Sequence, residues 1–273
     1  MTNVLKYGLV LALSMVLLSG CGKADEKKPA AGGPAGGAEP ALPDNTVEVK
    51  PDAATVGTIK LTAKLKGAAP ARAPIDMSDA DCAAAHAAEP ALDETVVPGS
   101  GGTLQNVMVW IEAGLDAKYV FKAPSTPVVI DQSGCIYKPH VLTMMAKQSI
   151  EVKNSDGVQH NIHATPKQST EFNFSQAPKS SLTLTTGSKD KTFTKPEVPV
   201  KMKCEIHGWM GAHVGVFKHP YHGVTGADGS ATLKDVPPGT YTVKVWHEKY
   251  GTKEVKVTLK DKGAESASVE LGE

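Results

Sequence analysis

The sequence predicts an all-β protein, and three observations predict it. Aromatic residues are 5% of the chain, while Gly and Pro number 26 and 19; many turn formers with few large rings fit short strands better than a helical bundle. Stretch after stretch alternates apolar and polar residues with the period of a half-buried strand. Turn signals separate these stretches, among them Asp228-Gly229 and Pro237-Pro238-Gly239. The 273 residues suffice for one large domain or two small ones. Lys+Arg and Asp+Glu are equal at 29 each, so charge gives no sign of a nucleic-acid partner. Overall polarity excludes a polytopic membrane protein.

Residues 1–21 open with Lys6 and an apolar run from Leu9 to Leu18, too short to span a bilayer and suited to a signal-peptide core. The run ends in Leu18-Ser19-Gly20-Cys21. This resembles the bacterial lipoprotein signal, which implies that Cys21 is lipidated and anchors the protein to a membrane; an ordinary cleaved signal is the alternative. Gly22 after the cysteine implies, for a Gram-negative host, sorting to the outer membrane. Residues 22–54 read as a flexible linker. Their Ala30-Ala31-Gly32-Gly33-Pro34-Ala35-Gly36-Gly37 run has too few large apolar groups to fold, and as a coil the linker spans about 30 Å.

Two strand patterns lie in 55–122. In 58–66, Ile59, Leu61, Ala63 and Leu65 share a face; in 106–112, Val107, Val109 and Ile111 do. Between them Ser78-Asp79-Ala80-Asp81 and an Ala-rich run predict a short capped helix with Cys82 in its first turn. His86 reads as a surface histidine. Further strands are expected at 128–130, 141–145, 150–152, 180–186 and 198–204. In the last, Val200, Met202 and Cys204 face inward and Lys201 and Lys203 outward. Val214 and Val216 face inward again, so His213 points the other way. Past 219, alternation in 241–246 and 255–259 gives more strands.

The chemistry concentrates in Cys204-Glu205-Ile206-His207-Gly208-Trp209-Met210 and in His160-Asn161-Ile162-His163. A thiolate, a thioether and imidazoles suit a copper electron-transfer site of two His and one Cys with a weak axial Met. His160 and His163 face opposite ways on a regular strand, so one of them reaches the metal. A zinc site using His213 in place of Met210 is the alternative, although zinc favours Cys and His. A second site at His140 or among His219, His222 and His247 has no complete ligand set readable in the sequence.

These motifs resemble the cupredoxins, amicyanin and plastocyanin in particular, over residues 126–218. The resemblance implies one mononuclear type 1 copper held by His160, Cys204, His207 and Met210, with Asn161 tying the two ligand loops together and His163 outside the ligand set. It also implies a one-electron carrier rather than an enzyme, with His207 as the electron's path and a redox partner such as a cytochrome or oxidoreductase. Copper delivery or storage is the rival function. Of the four cysteines, Cys21 belongs to the export signal and Cys204 to the metal motif. Cys82 and Cys135 remain, and in an oxidising compartment they can pair; two buried free thiols are the alternative.

Gly223-Val224-Thr225-Gly226-Ala227-Asp228-Gly229-Ser230 and Val236-Pro237-Pro238-Gly239-Thr240-Tyr241 resemble the carboxypeptidase regulatory-like domain, a transthyretin-like sandwich. Such domains begin with strands like those at 58–66 and 106–112. The expected organisation is therefore 55–122 and 219–273 as the two halves of one sandwich, with a cupredoxin Greek-key sandwich over 123–218 inserted in it. The insertion so drawn requires strand 58–66 to pair within the sheet containing 240–247. A larger copper domain followed by a separate, adjoining sandwich is the alternative.

Overall fold

The structure, a computed structural model, describes residues 47–185 and 192–272. Cys21, with the lipidation expected there, the signal segment and most of the 22–54 linker lie outside the described residues. Among the described residues no helix is long and apolar enough to cross a membrane.

The chain enters as strand β1 (Gly57–Leu65), turns through a five-residue helix α1 (Ala80–Ala84), and continues as β2 (Met108–Ala113). Asp79 caps α1, its Oδ1 accepting from the amides of Asp81 and Cys82 at 3.0 Å each. Nine strands follow: β3 (Val128–Gln132), β4 (Tyr137–Lys138), β5 (Val141–Met145), β6 (Ile150–Asn154), β7 (His160–Ala164), β8 (Phe172–Gln176), β9 (Ser180–Leu184), β10 (Glu197–Lys203) and β11 (Gly211–Phe217). The chain ends in β12 (His222–Val224), β13 (Ser230–Val236), β14 (Gly239–His247), β15 (Gly251–Leu259) and β16 (Ala264–Leu271).

These strands make four sheets. Sheets β13-β1-β16 and β12-β2-β14-β15 share one core, in which Ile59, Leu61 and Ala63 of β1 meet Val243 and Val245 of β14. Sheets β5-β11-β10-β7-β8 and β4-β3-β6-β9 share another, built on Ile130, Val152, Ile162, Val200, Met202 and Val214. We call these the first and second sandwich. The chain thus leaves the first sandwich after β2, builds the second with β3–β11, and returns at β12.

One expectation needs correction. β1 does not lie in the sheet of β14, so the ladder expected for the insertion is not made; it pairs antiparallel with β13 and parallel with β16, in the facing sheet. Its alternate apolar residues reach β14 across the core rather than along a ladder, a distinction that alternation alone cannot make. β2 does lie beside β14, with Val109 opposite Val245 and Trp110 opposite Lys244. Its first four residues, Met108–Ile111, are all buried because both faces are covered there. Val109 and Ile111 enter the first core, while Met108 and Trp110 join Val141, Phe217 and Trp246 in a small seam between the sandwiches. At the Asp-Gly turn, Gly229 takes φ 68°, a left-handed backbone that favours glycine.

Cys82 and Cys135 form a disulfide with Cα atoms 5.6 Å apart, 53 residues apart in sequence. It fastens α1, from the segment between β1 and β2, to the β3–β4 turn of the second sandwich. Both half-cystines are buried in the second core. Replacing both cysteines by serine is expected to lower unfolding stability by about 2–4 kcal/mol. Urea denaturation with far-UV detection measures it; an unchanged midpoint and slope would show that the staple constrains neither state.

Candidate metal centre

Three donor atoms converge at one end of the second sandwich. His160 begins β7, Cys204 directly follows β10, and His207 lies in the loop from Cys204 to β11. All three side chains are buried, and their donor atoms lie within 4.8 Å of one another. The local sequence dictates this convergence. Alternation along β10 buries Val200, Met202 and Cys204 on the core side. A tight loop then folds back, with the Met210 amide donating to the His207 carbonyl at 2.9 Å and the Cys204 amide to the Met210 carbonyl at 3.2 Å. The His207 amide points at Cys204 Sγ from 3.3 Å.

A carboxylate lies by the far nitrogen of each imidazole, hydrogen-bonded to His160 and at longer range from His207. His160 Nε2 lies 2.9 Å from Asp156 Oδ2, so Nε2–H donates and Nδ1 turns to the centre. His207 Nε2 lies 3.8 Å from Asp79 Oδ2, which leaves its Nδ1 facing His160 Nδ1 at 2.9 Å. An Nδ1–H of His207 donating to the Nδ1 lone pair of His160 meets this distance in the metal-free protein, and a metal ion accepting both lone pairs meets it as well. Such carboxylate–histidine pairs fix tautomer and ring orientation at metal sites. Asp156 is itself held by the amides of Gly134 at 2.6 Å and Cys135 at 2.8 Å.

The electrostatics follow from these contacts. Burial works against protonation of His160, but hydrogen bonds to Cys204 and Asp156 outweigh it and hold its pKa above the ordinary value. Burial, and then the charge on His160, push His207 down. Burial also disfavours the Cys204 thiolate, yet hydrogen bonds from His160 and from the amides of Asn161, His207 and Ile206 bring its pKa below the usual thiol range. The surroundings therefore ease ionisation of the thiol beside the imidazoles, and thiolate with imidazole is the donor chemistry of a soft metal ion.

The remaining candidate residues divide. Met210 is buried in the same core as Cys204. Asn161 Oδ1 accepts the Glu205 amide at 2.6 Å and lies 3.2 Å from Cys204 Sγ, so it joins the two loops. His163 faces away, its ring nitrogens on Glu205 at 2.5 Å and Glu171 at 2.8 Å. Trp209 donates its indole N–H to the Cys135 carbonyl at 2.9 Å and packs against His207, with ring centroids 5.1 Å apart. His86 bonds the Gly134 carbonyl at 2.7 Å. His219, His222 and His247 do not converge: His219 binds the Ile111 carbonyl at 2.9 Å, His222 stacks on Phe217 and His247 on Tyr250. Sequence reasoning misses Asp79 and Asp156. Asp79 carries a signal as a helix cap, and Asp156 stands four residues before His160, but nothing local tells that either carboxylate turns to an imidazole.

Residues 209–272 match the carboxypeptidase regulatory-like domain. The match runs from Trp209 through β11 to β16. No curated protein matches the chain. Among solved structures, a purple cupredoxin from Nitrosopumilus maritimus is similar over 33% of this chain and 98% of its own, at 20% identity and TM-score 0.26. An oxidised amicyanin variant is similar over 40% of this chain and 97% of its own, at 18% identity and TM-score 0.28. A copper-containing nitrite reductase from Thermus scotoductus SA-01 is similar over 39% of this chain at 20% identity and TM-score 0.30, and there the chain spans 25% of the reductase's length.

Two outcomes are expected. Asp156→Ala leaves two amides and His160 without their acceptor and should cost roughly 2–3 kcal/mol in urea unfolding of the metal-free protein; a loss below about 0.5 kcal/mol would show that the carboxylate does not position the loop. His163 is raised above its ordinary pKa, first by Glu171 and then by Glu205. A raised folded value means its contribution is present below the unfolded pKa of about 6.5 and fades as pH rises through the folded value. Two-dimensional NMR should show this ring titrating above about 6.5, and His163→Gln should remove that part of the stability slope.

Proposed function

We propose that His160, Cys204, His207 and Met210 hold one copper ion and that the protein carries single electrons in the cell envelope. The observation that carries this reading is the buried convergence of two imidazole Nδ1 atoms and the Cys204 sulfur within 4.8 Å. Bound copper supplies a one-electron couple between Cu(I) and Cu(II). The chain's own part is to hold the donors before the metal arrives: Asp156 and Asp79 face the far nitrogens, Asn161 ties the loops, and the disulfide joins the segment that carries Asp79 to the turn whose amides bind Asp156. Apolar packing buries Cys204 and Met210 in the second core. His207 is buried, but its loop neighbours Ile206 and Gly208 are exposed, which brings the ring close under the surface where an electron can cross to a partner.

The same reading extends to the whole chain. The pairing of β1 and β2 with β13, β14 and β16 supports a sandwich of residues 55–122 and 219–273 interrupted by the 123–218 unit. Lipid at Cys21 and the 22–54 linker would tether the copper unit to a membrane and let it search for a cytochrome or oxidoreductase partner. Four protein donors leave no open position for a substrate, which favours a carrier over an enzyme.

The full chain given one equivalent of Cu(II) is expected to show an intense visible thiolate-to-copper band and a narrow-hyperfine EPR signal. Mild reductant should bleach both and reoxidation restore them, while Cys204→Ala should show neither. A colourless protein that reduces or releases the ion would overturn the carrier and leave delivery or storage.

A further inference from the structure

A second group of metal-binding side chains lies on the far side of β11. His213 is on that strand, with its side chain turned away from the second core. His140 precedes β5 and is locked beside it, the His213 amide donating to the His140 carbonyl at 2.9 Å. Glu248 comes from the first sandwich, in the turn after β14. The three meet at the seam: His140 Nε2 is 2.7 Å and His213 Nε2 2.9 Å from the same oxygen, Glu248 Oε2.

The hydrogen bonds say what the group requires. His140 Nδ1 lies 3.1 Å from the Gly211 carbonyl, and a carbonyl only accepts, so Nδ1 carries the proton. In the neutral ring Nε2 then presents a lone pair to a carboxylate oxygen that also has only lone pairs. The contact at 2.7 Å is met by a protonated ring donating Nε2–H to the carboxylate, or by a metal ion that both atoms ligate. A backbone carbonyl on the far nitrogen is also how ligating histidines are commonly oriented. The side chains of His140, His213 and Glu248 are 14%, 19% and 15% exposed, so the group is sheltered and still open on one side. That side opens into a cleft of about 590 Å³ that Glu94 also lines. The cleft continues past Trp209, Met210 and Cys204.

We propose that His140, His213 and Glu248 form a second metal site, for a divalent first-row transition ion, open to small ligands from the cleft. Two imidazoles and one carboxylate with an unfilled side are the ligand set of catalytic zinc and of non-haem iron centres. By the general order of affinities Cu²⁺ binds such a set most tightly and Zn²⁺ less so. The donors are harder than the Cys204 set and share no residue with it, so this site stands whether or not copper occupies the first.

The test uses the full metal-free chain, equilibrated with Zn²⁺ and dialysed, with bound metal counted per chain. Wild type is expected to retain one more ion than Glu248→Gln or His140→Ala, each variant keeping the near-UV dichroism of the parent. Cys204→Ala/His207→Ala is expected to keep the ion that those variants lose. Co²⁺ gives an independent readout: the retained ion in Cys204→Ala/His207→Ala should show visible ligand-field bands without thiolate charge transfer, and Glu248→Gln added to that background should abolish them. Equal metal counts in wild type, Glu248→Gln and His140→Ala would overturn the proposal. So would a Cys204→Ala/His207→Ala protein that retains no ion, which would leave the cluster a proton-linked ion pair.

Discussion

Burying two imidazoles and a thiol in an apolar core is the constraint on which this architecture depends. His160 and His207 face each other through Nδ1 at 2.9 Å, and Cys204 is 3% exposed. Each group would be destabilising there alone. The surroundings offset this by hydrogen bonding: Asp156 on His160, the His207 amide on Cys204, and Asn161 between the loops. Asp156 in turn needs the amides of Gly134 and Cys135, and Asp79 needs the first turn of α1. The Cys82–Cys135 bond joins those two anchorages. A segment from between β1 and β2 thereby becomes part of the wall of a site built from β7, β10 and β11.

A buried network next to His160 does similar work. Asn154 at the end of β6 donates to the Val158 carbonyl at 2.9 Å and accepts the Asp156 amide at 3.0 Å, which shapes the loop that delivers Asp156 and His160. Gln176 on β8 binds the Val152 carbonyl at 2.7 Å. The loop is therefore held from both sheets of the second sandwich, and the histidine it presents has little freedom to swing out of place. Preset donors of this kind lessen the reorganisation that accompanies a change in the charge of a bound ion.

Much of this is legible in the residues, for a definite reason. Where one face of a strand is buried and the other wet, period two shows; Val200, Met202 and Cys204 against Lys201 and Lys203 is such a case, and it aims the sulfur at the core. The opposite parity of His160 and His163 separates a buried ring from one held by surface glutamates. Alternation is silent about which sheet a strand joins, so the pattern of β1 is equally compatible with a place beside β14 and with its actual place across the core. It is also silent about contacts between distant segments. His140 and Glu248 lie 108 residues apart, and Asp79 and His207 are farther apart still; only the folded path brings them together.

β11 connects the two histidine groups. Its inward residues Ala212, Val214 and Val216 floor the second core beneath the Cys204 loop. Its outward residues make the seam: Phe217 packs on Trp110 at 5.4 Å, and His213 lies against Trp246 at 5.0 Å and bonds Glu248. Gly215 sits between them, where a Cβ would come within 2.8 Å of Met108 Sδ, so the strand keeps a gap that lets the first sandwich close against it. Gly211 links the two faces. It follows Met210 directly, and its carbonyl accepts from His140. The two groups therefore meet at one residue of backbone, and the side chains that floor the second core and those that make the seam alternate along the same strand.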